Sequence, residues 1–205
     1  MEIAISVRWD SISMWARDLE KWWRVNRLQS YLWERFLRES SEYGVVYNLG
    51  IDWDTSSWVL KRFDREAETR QPNVIIFAIG SNDCTTIIKN NTTSVLPETF
   101  KENLAALKKK ANKFTDKIIF VWQILCDETK TIPIPWIPEM AQDMKNTIIY
   151  DNIIKTFCEQ NNILYINMLD VIDNQDLEDG MHPTAQGHEK MYLRIKDFLL
   201  DNHII

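Results

Sequence analysis

Five short apolar runs rich in β-branched residues punctuate the chain, at residues 3–7, 45–49, 74–79, 118–124 and 163–166. Each has the length and composition of a buried strand. Between them lie amphipathic stretches at residues 25–38, 56–69, 97–114, 140–160 and 184–201. Their spacing predicts helices: Leu28, Leu32 and Phe36 fall on one face, while Arg27, Glu34 and Arg35 fall on another.

Strand alternating with helix five times predicts a parallel sheet, because parallel strands need long crossovers and the crossovers supply the covering helices. The expected fold is α/β: a three-layer α/β/α sandwich around a flavodoxin-like five-stranded parallel sheet. Right-handed crossovers and the flavodoxin-like pattern give the strand order 2-1-3-4-5. The one long irregular stretch is "CDETKTIPIPWIPEM", residues 126–140, where Pro133, Pro135 and Pro138 oppose regular structure. In a doubly wound sheet it is either a wall or lid of the ligand crevice or an ordinary rigid crossover.

Composition narrows the class. With 205 residues, 45% hydrophobic and 26% charged, the chain reads as one globular domain over residues 1–205, large enough to bury about 70% of its unfolded surface. The net charge is −6, and the only basic run is "KKK" at 108–110, which reads as a solvated helix face and not as a nucleic-acid footprint. The opening "MEIAISVR" lacks the basic and long apolar regions of a signal peptide, and no stretch approaches the ~18 apolar residues of a membrane span. Cys84, Cys126 and Cys158 are odd in number and widely spaced, which argues against a disulfide framework or a zinc site and for a reducing cytoplasm. The sequons within "NNTT", residues 90–93, carry no weight without a secretion signal.

Polar clusters collect where strands should end. Strand one leads to Asp10 and Ser11, strand two to "NLGIDWDT" (48–55), and strand three to "GSND" (80–83); "DGMHP" (179–183) precedes the last helix. With parallel strands all four fall at one edge of the sheet. A serine is a poor nucleophile without a base, and a neutral imidazole needs a carboxylate on its other nitrogen to fix its tautomer. Asp179 and His182, three apart across a turn containing Gly180, have that spacing. Taken singly, each cluster also has a plainer reading as turn residues.

Together and in this order they resemble the SGNH hydrolase superfamily, the GDSL-like lipase/acylhydrolases. "WDSI" stands against that family's GDS block, "NLGIDWDTSS" against its second block, "GSND" against GxND and "DGMHP" against DxxH. The last two match fully; the first two do not. The resemblance implies Ser11 as nucleophile, His182 as general base and then acid, and Asp179 as its orienter. It implies an oxyanion hole from the N–H of Ser11, the N–H of Trp53 and the Asn82 side-chain amide, with Asp10, Gly80 and Asp83 in support. No metal or organic cofactor is implied, and the partner is a small-molecule ester. His188 and His203 are poorer candidates for the base. A second reading is a catalytically inactive binding protein on the same fold with a Trp-lined crevice. A third, a flavodoxin-like or nucleotide-binding protein, lacks any glycine-rich phosphate loop.

Two counts are abnormal: five glycines, against about 7% of residues in an average protein, and nine tryptophans. Relatives of the family carry glycine where this chain has Trp9 and Trp53, often also at Trp15, and tend to have glycines around Trp22 and Trp23. Indoles at a nucleophile turn and an oxyanion loop would cost ~1 to 3 kcal/mol each in overpacking, with added backbone strain wherever φ is positive. Three explanations stand: a pocket remodelled with indoles, an inactive protein, or a gene from a lineage that reads UGA as glycine, decoded here as tryptophan. The third accounts for both counts at once. UGG at codons 9 and 53 would refute it.

Overall fold

The computed structural model describes residues 3–8, 24–39, 42–122 and 125–205. Five parallel strands form the central sheet: β1 (Ile3–Arg8), β2 (Gly44–Asn48), β3 (Val74–Phe77), β4 (Ile118–Val121) and β5 (Leu164–Ile166). Their order is β2-β1-β3-β4-β5, the order expected from the crossover rule. Register is set by pairs such as Val7 with Asn48, Arg8 with Phe77, Phe77 with Phe120 and Val121 with Ile166.

Period-two alternation sorts the strands' side chains between two cores. On one face Ile5, Val7, Ile76, Ile119 and Ile166 pack under α1 (Arg24–Glu39) and α5 (Ala185–Asp201) through Leu28, Leu32, Met191 and Ile195. On the other, Ile75, Phe77 and Phe120 pack under α2 (Ser56–Arg70), α3 (Pro97–Ala111) and α4 (Met144–Asn161) through Phe63, Phe100, Leu104, Tyr150 and Ile154. The result is the three-layer sandwich.

Several boundaries differ from the sequence pattern, among them the fourth strand, which stops at Val121. The third strand stops at Phe77 and the third helix at Ala111. The fourth helix starts at Met144 and not at 140, because Met140–Ala141 pairs antiparallel with Thr86–Ile87, which also pairs with Thr92–Thr93, in a small second sheet. Strands of two residues are too short to show an alternation. Asp143 then opens the helix, its Oδ1 accepting from Asn146 N at 2.7 Å, as an N-cap does. The proline-rich stretch carries a helical turn of its own, Glu128–Thr131, capped by Asp127.

Among the described residues no helix is long and apolar enough to cross a membrane.

Candidate active site

After β5 the chain passes a 3-10 turn, Asn174–Asp176, and reaches Asp179 to His182. Asp179 Oδ1 accepts from the backbone N–H groups of Met181 (3.1 Å) and His182 (2.9 Å), and Oδ2 lies 2.7 Å from His182 Nδ1. The backbone bonds fix the carboxylate and the carboxylate fixes the ring, a pairing that favours the tautomer with its proton on Nδ1, facing Asp179. Burial opposes the charge on Asp179, but the His182 side chain and the two N–H groups outweigh it and hold its carboxyl below the usual range.

Glycine at 180 has two reasons. Its φ is +94°, and a Cβ there would lie 2.8 Å from Lys130 Cβ and 3.2 Å from the Asp127 carbonyl oxygen. The turn is closed by Glu178 N donating to the His182 carbonyl (2.9 Å), and Thr184 caps α5 through Gly187 N (3.2 Å).

At the end of β3, Gly80 takes φ +120° and a Cβ on it would sit 2.6 Å from Trp122 Cζ3. That bend starts the turn Ser81–Cys84, all of it buried. Asn82, 3% exposed, donates from Nδ2 to the Asp54 carbonyl at 2.9 Å. Asp83 accepts from Ser56 N at 3.0 Å on both oxygens and from Ser56 Oγ. It therefore caps α2 from a different strand's loop, supplying negative charge at a helix N-terminus whose own N-cap, Thr55, makes no side-chain bond. Together these bonds bind the loop after β2 to the turn after β3.

The loop after β2 carries Trp53 in the left-handed region, φ +61°. A residue with a Cβ is strained there by about 1–2 kcal/mol, so the backbone is of the kind that favours glycine, the residue the family resemblance leads one to expect. The indole is 36% exposed. The next residue, Asp54, is held by Arg62 through Nη2 at 2.6 Å and Nε at 2.7 Å, and Arg62 Nη1 bonds both oxygens of Glu66 (2.7 and 2.8 Å). Burial raises the Asp54 carboxyl above its ordinary value, opposed by Arg62.

The proline-rich segment joins the two halves. Asp127 N donates to the Gly180 carbonyl (2.8 Å), Thr131 Oγ1 to the Gln142 carbonyl (2.7 Å), and Gln142 Nε2 to Ser81 Oγ (3.1 Å). It also places the Trp136 ring with its centroid 6.2 Å from that of His182. This segment thus runs beside His182.

Trp9, Asp10 and Ser11, with Trp15, Trp22 and Trp23, lie outside the described residues. The described part of β1 ends at Arg8, whose carbonyl accepts from Ala78 N at 3.0 Å. His188 is fully buried inside α5 and His203 lies on the exposed C-terminal turn, so neither competes with His182. Among the described residues, no group of three or more His, Cys, Asp or Glu could hold a metal ion.

Sequence reasoning missed Arg62 and Gln142, whose partners lie 8 and 61 residues away and leave no local signal. It also missed Arg8, which is fully buried at the end of β1, its guanidinium 4.2 Å from the Phe63 ring centroid and Nε 3.7 Å from Glu66 Oε2. Burial pushes its pKa down to about 10.

A doubly wound sheet with a carboxylate–imidazole pair and an amide-bearing turn among its loops defines the protein as an α/β/α hydrolase-type chain. The model of the GDSL-like lipase/acylhydrolase family matches residues 10–190, and the chain belongs to that family of esterases and acylhydrolases. Among solved structures it is similar to a lipase/acylhydrolase from Enterococcus faecalis, at 21% identity over 96% of this chain and 95% of that one, with a TM-score of 0.73. An α/β hydrolase from the metagenome of Lake Arreo, Spain, matches with a TM-score of 0.73 at 17% identity, covering 97% and 94% of the two chains. A catalytic mutant of an acetylxylan esterase from Geobacillus stearothermophilus gives 0.70 at 17% identity over 96% and 92%. These likenesses speak for the fold. A comparison with curated proteins gives no match.

Proposed function

We propose that the chain is a serine esterase or acylhydrolase that cleaves small or medium carboxylic esters through an acyl-enzyme. Ser11 Oγ attacks the ester carbonyl while His182 Nε2 takes its proton and Asp179 stabilises the imidazolium. The oxyanion is received by the N–H groups of Ser11 and Trp53 and by Asn82 Nδ2. As the intermediate collapses, His182 returns the proton to the departing alcohol. Water, deprotonated by the same nitrogen, then releases the acid. Asp10, Gly80 and Asp83 serve as supports; Asp83 does so by fixing the loop that presents residue 53.

The observation that carries this reading is the Asp179–His182 pair, with Nδ1 and Oδ2 at 2.7 Å and the carboxylate held by two backbone N–H groups. The backbone bonds are those of an Asx turn, and the carboxylate-to-imidazole bond beside them is the part that orients a base. A fluorophosphonate probe tests it: Ser11 should be labelled, and Ser11→Ala should lose both the label and essentially all p-nitrophenyl ester turnover. His182→Ala should lose nearly as much because the two act as one unit. Equal turnover by the parent and Ser11→Ala would end the proposal.

One observation favours the second reading, an inactive binding protein. Trp53 is strained at φ +61° where the oxyanion donor is needed, so it would impair the chain as written. The probe separates the two readings, since only an activated serine reacts.

A further inference from the structure

We propose that Trp136 is the platform of a leaving-group subsite, selecting esters whose alcohol carries a planar or pyranose ring. The inference rests on the serine-esterase reading and adds to it a substrate class and a residue. In acylation the proton that leaves Ser11 Oγ passes to His182 Nε2 and then to the ester oxygen as the C–O bond breaks. The leaving oxygen must therefore stand within hydrogen-bond reach of Nε2, about 2.6–3.2 Å. The alcohol, and not the acyl group, is the part of the substrate that this step brings to His182.

The Trp136 ring flanks that imidazole, 6.2 Å between centroids and tilted by 31°. It is 46% exposed, in contrast to Trp122, which is wholly buried. Its backbone is rigid. Pro135 precedes it and Pro138 follows two residues on. Ile137 N donates to the Ile134 carbonyl (3.1 Å), Ile134 N donates to the Met140 carbonyl (2.9 Å), and Ile134 is fully buried as the anchor. The same segment is bonded to the His182 turn through Asp127 N and the Gly180 carbonyl. Indole and imidazole are thus held to one frame, and a ring attached to the leaving oxygen meets an apolar surface already in place, with little ordering cost. Aromatic contacts of this kind favour offset or tilted stacking.

The test compares benzyl acetate with ethyl acetate, which share an acyl group and have alcohols of similar acidity, in the parent chain and in the Trp9→Gly/Trp53→Gly chain. Trp136→Ala should lower the benzyl-to-ethyl ratio of kcat/KM about tenfold, equivalent to ~1.4 kcal/mol, and Trp136→Phe should restore most of it. Because the residue is exposed, circular dichroism should show both variants folded. An unchanged ratio in an active, folded Trp136→Ala would overturn the proposal. So would a change that follows acyl length instead, read as the butyrate-to-acetate ratio of ethyl esters. The absence of both turnover and fluorophosphonate labelling in both backgrounds would overturn the esterase reading itself, and this proposal with it.

Discussion

Replacing Trp53 by glycine should make the protein less stable and more active at once. The backbone at 53 sits at φ +61°, where a Cβ costs about 1–2 kcal/mol and glycine nothing. Against that relief stands the burial lost with the indole. The residue is 36% exposed, so roughly two-thirds of the ~150–250 Å² an aromatic side chain can bury is covered, worth about 3 kcal/mol at ~25 cal/mol per Å². Glycine also loses ~0.5–1 kcal/mol more chain entropy on folding. The balance is a loss of about 2 kcal/mol, or ~4–8 °C in Tm for a chain of this size. Trp53→Ala loses the same burial but keeps the strain, so it should be less stable than Trp53→Gly by up to ~1 kcal/mol. For activity, a misaimed oxyanion donor costs about 10² to 10³. In the Trp9→Gly/Trp53→Gly chain kcat/KM on a short-chain ester should therefore rise at least about tenfold over the parent. Trp53→Ala separates the causes: recovery equal to glycine's means that the indole blocks the acyl site, and recovery only with glycine means that the N–H is misdirected. Unchanged or lower activity in a well-folded double variant would refute the reasoning and assign the tryptophans to the site.

Asp179→Asn keeps an oxygen for the two backbone N–H groups but loses the charge facing His182, so ester turnover should fall without vanishing. The folded-state pKa of Asp179 is depressed, so its stabilising contribution is full above the unfolded value of ~3.9 and is lost as pH falls through the folded value. Parent and Asp179→Asn should differ in Tm near neutrality and converge in acid; a gap that widens below pH 4 would contradict this. Gly80→Ala places a Cβ at φ +120° and 2.6 Å from the buried Trp122, so urea denaturation should show a loss of ~2–4 kcal/mol. A change within 0.5 kcal/mol would show that the turn relaxes freely.

Much of this protein was legible without coordinates. Continuous apolar runs define the five strands because both faces of the sheet are covered, period-3.6 patterns define the five long helices because each buries one face, and a parallel sheet follows from their alternation. "DGMHP" was readable because its partners are local: Asp179 and His182 need only a three-residue turn, and Gly180 announces it; "GSND" was readable as a motif, while its partners Asp54, Ser56 and Gln142 lie far along the chain. The two-residue pairing of Thr86–Ile87 with Met140–Ala141 was hidden, being too short for any periodicity, and it moved the start of the fourth helix. Contacts made across long sequence distances were hidden as well. Asp83 caps a helix that begins 27 residues earlier, Gln142 reaches Ser81, and Trp136 stands beside His182. The glycine-like character of position 53 was suggested by family resemblance alone; the tertiary fold supplied its physical reason. With the Asp54 carbonyl bonded to Asn82, its carboxylate to Arg62, and Ser56 to Asp83, the loop after β2 is fixed from outside, and residue 53 takes a left-handed conformation that its own side chain would not choose.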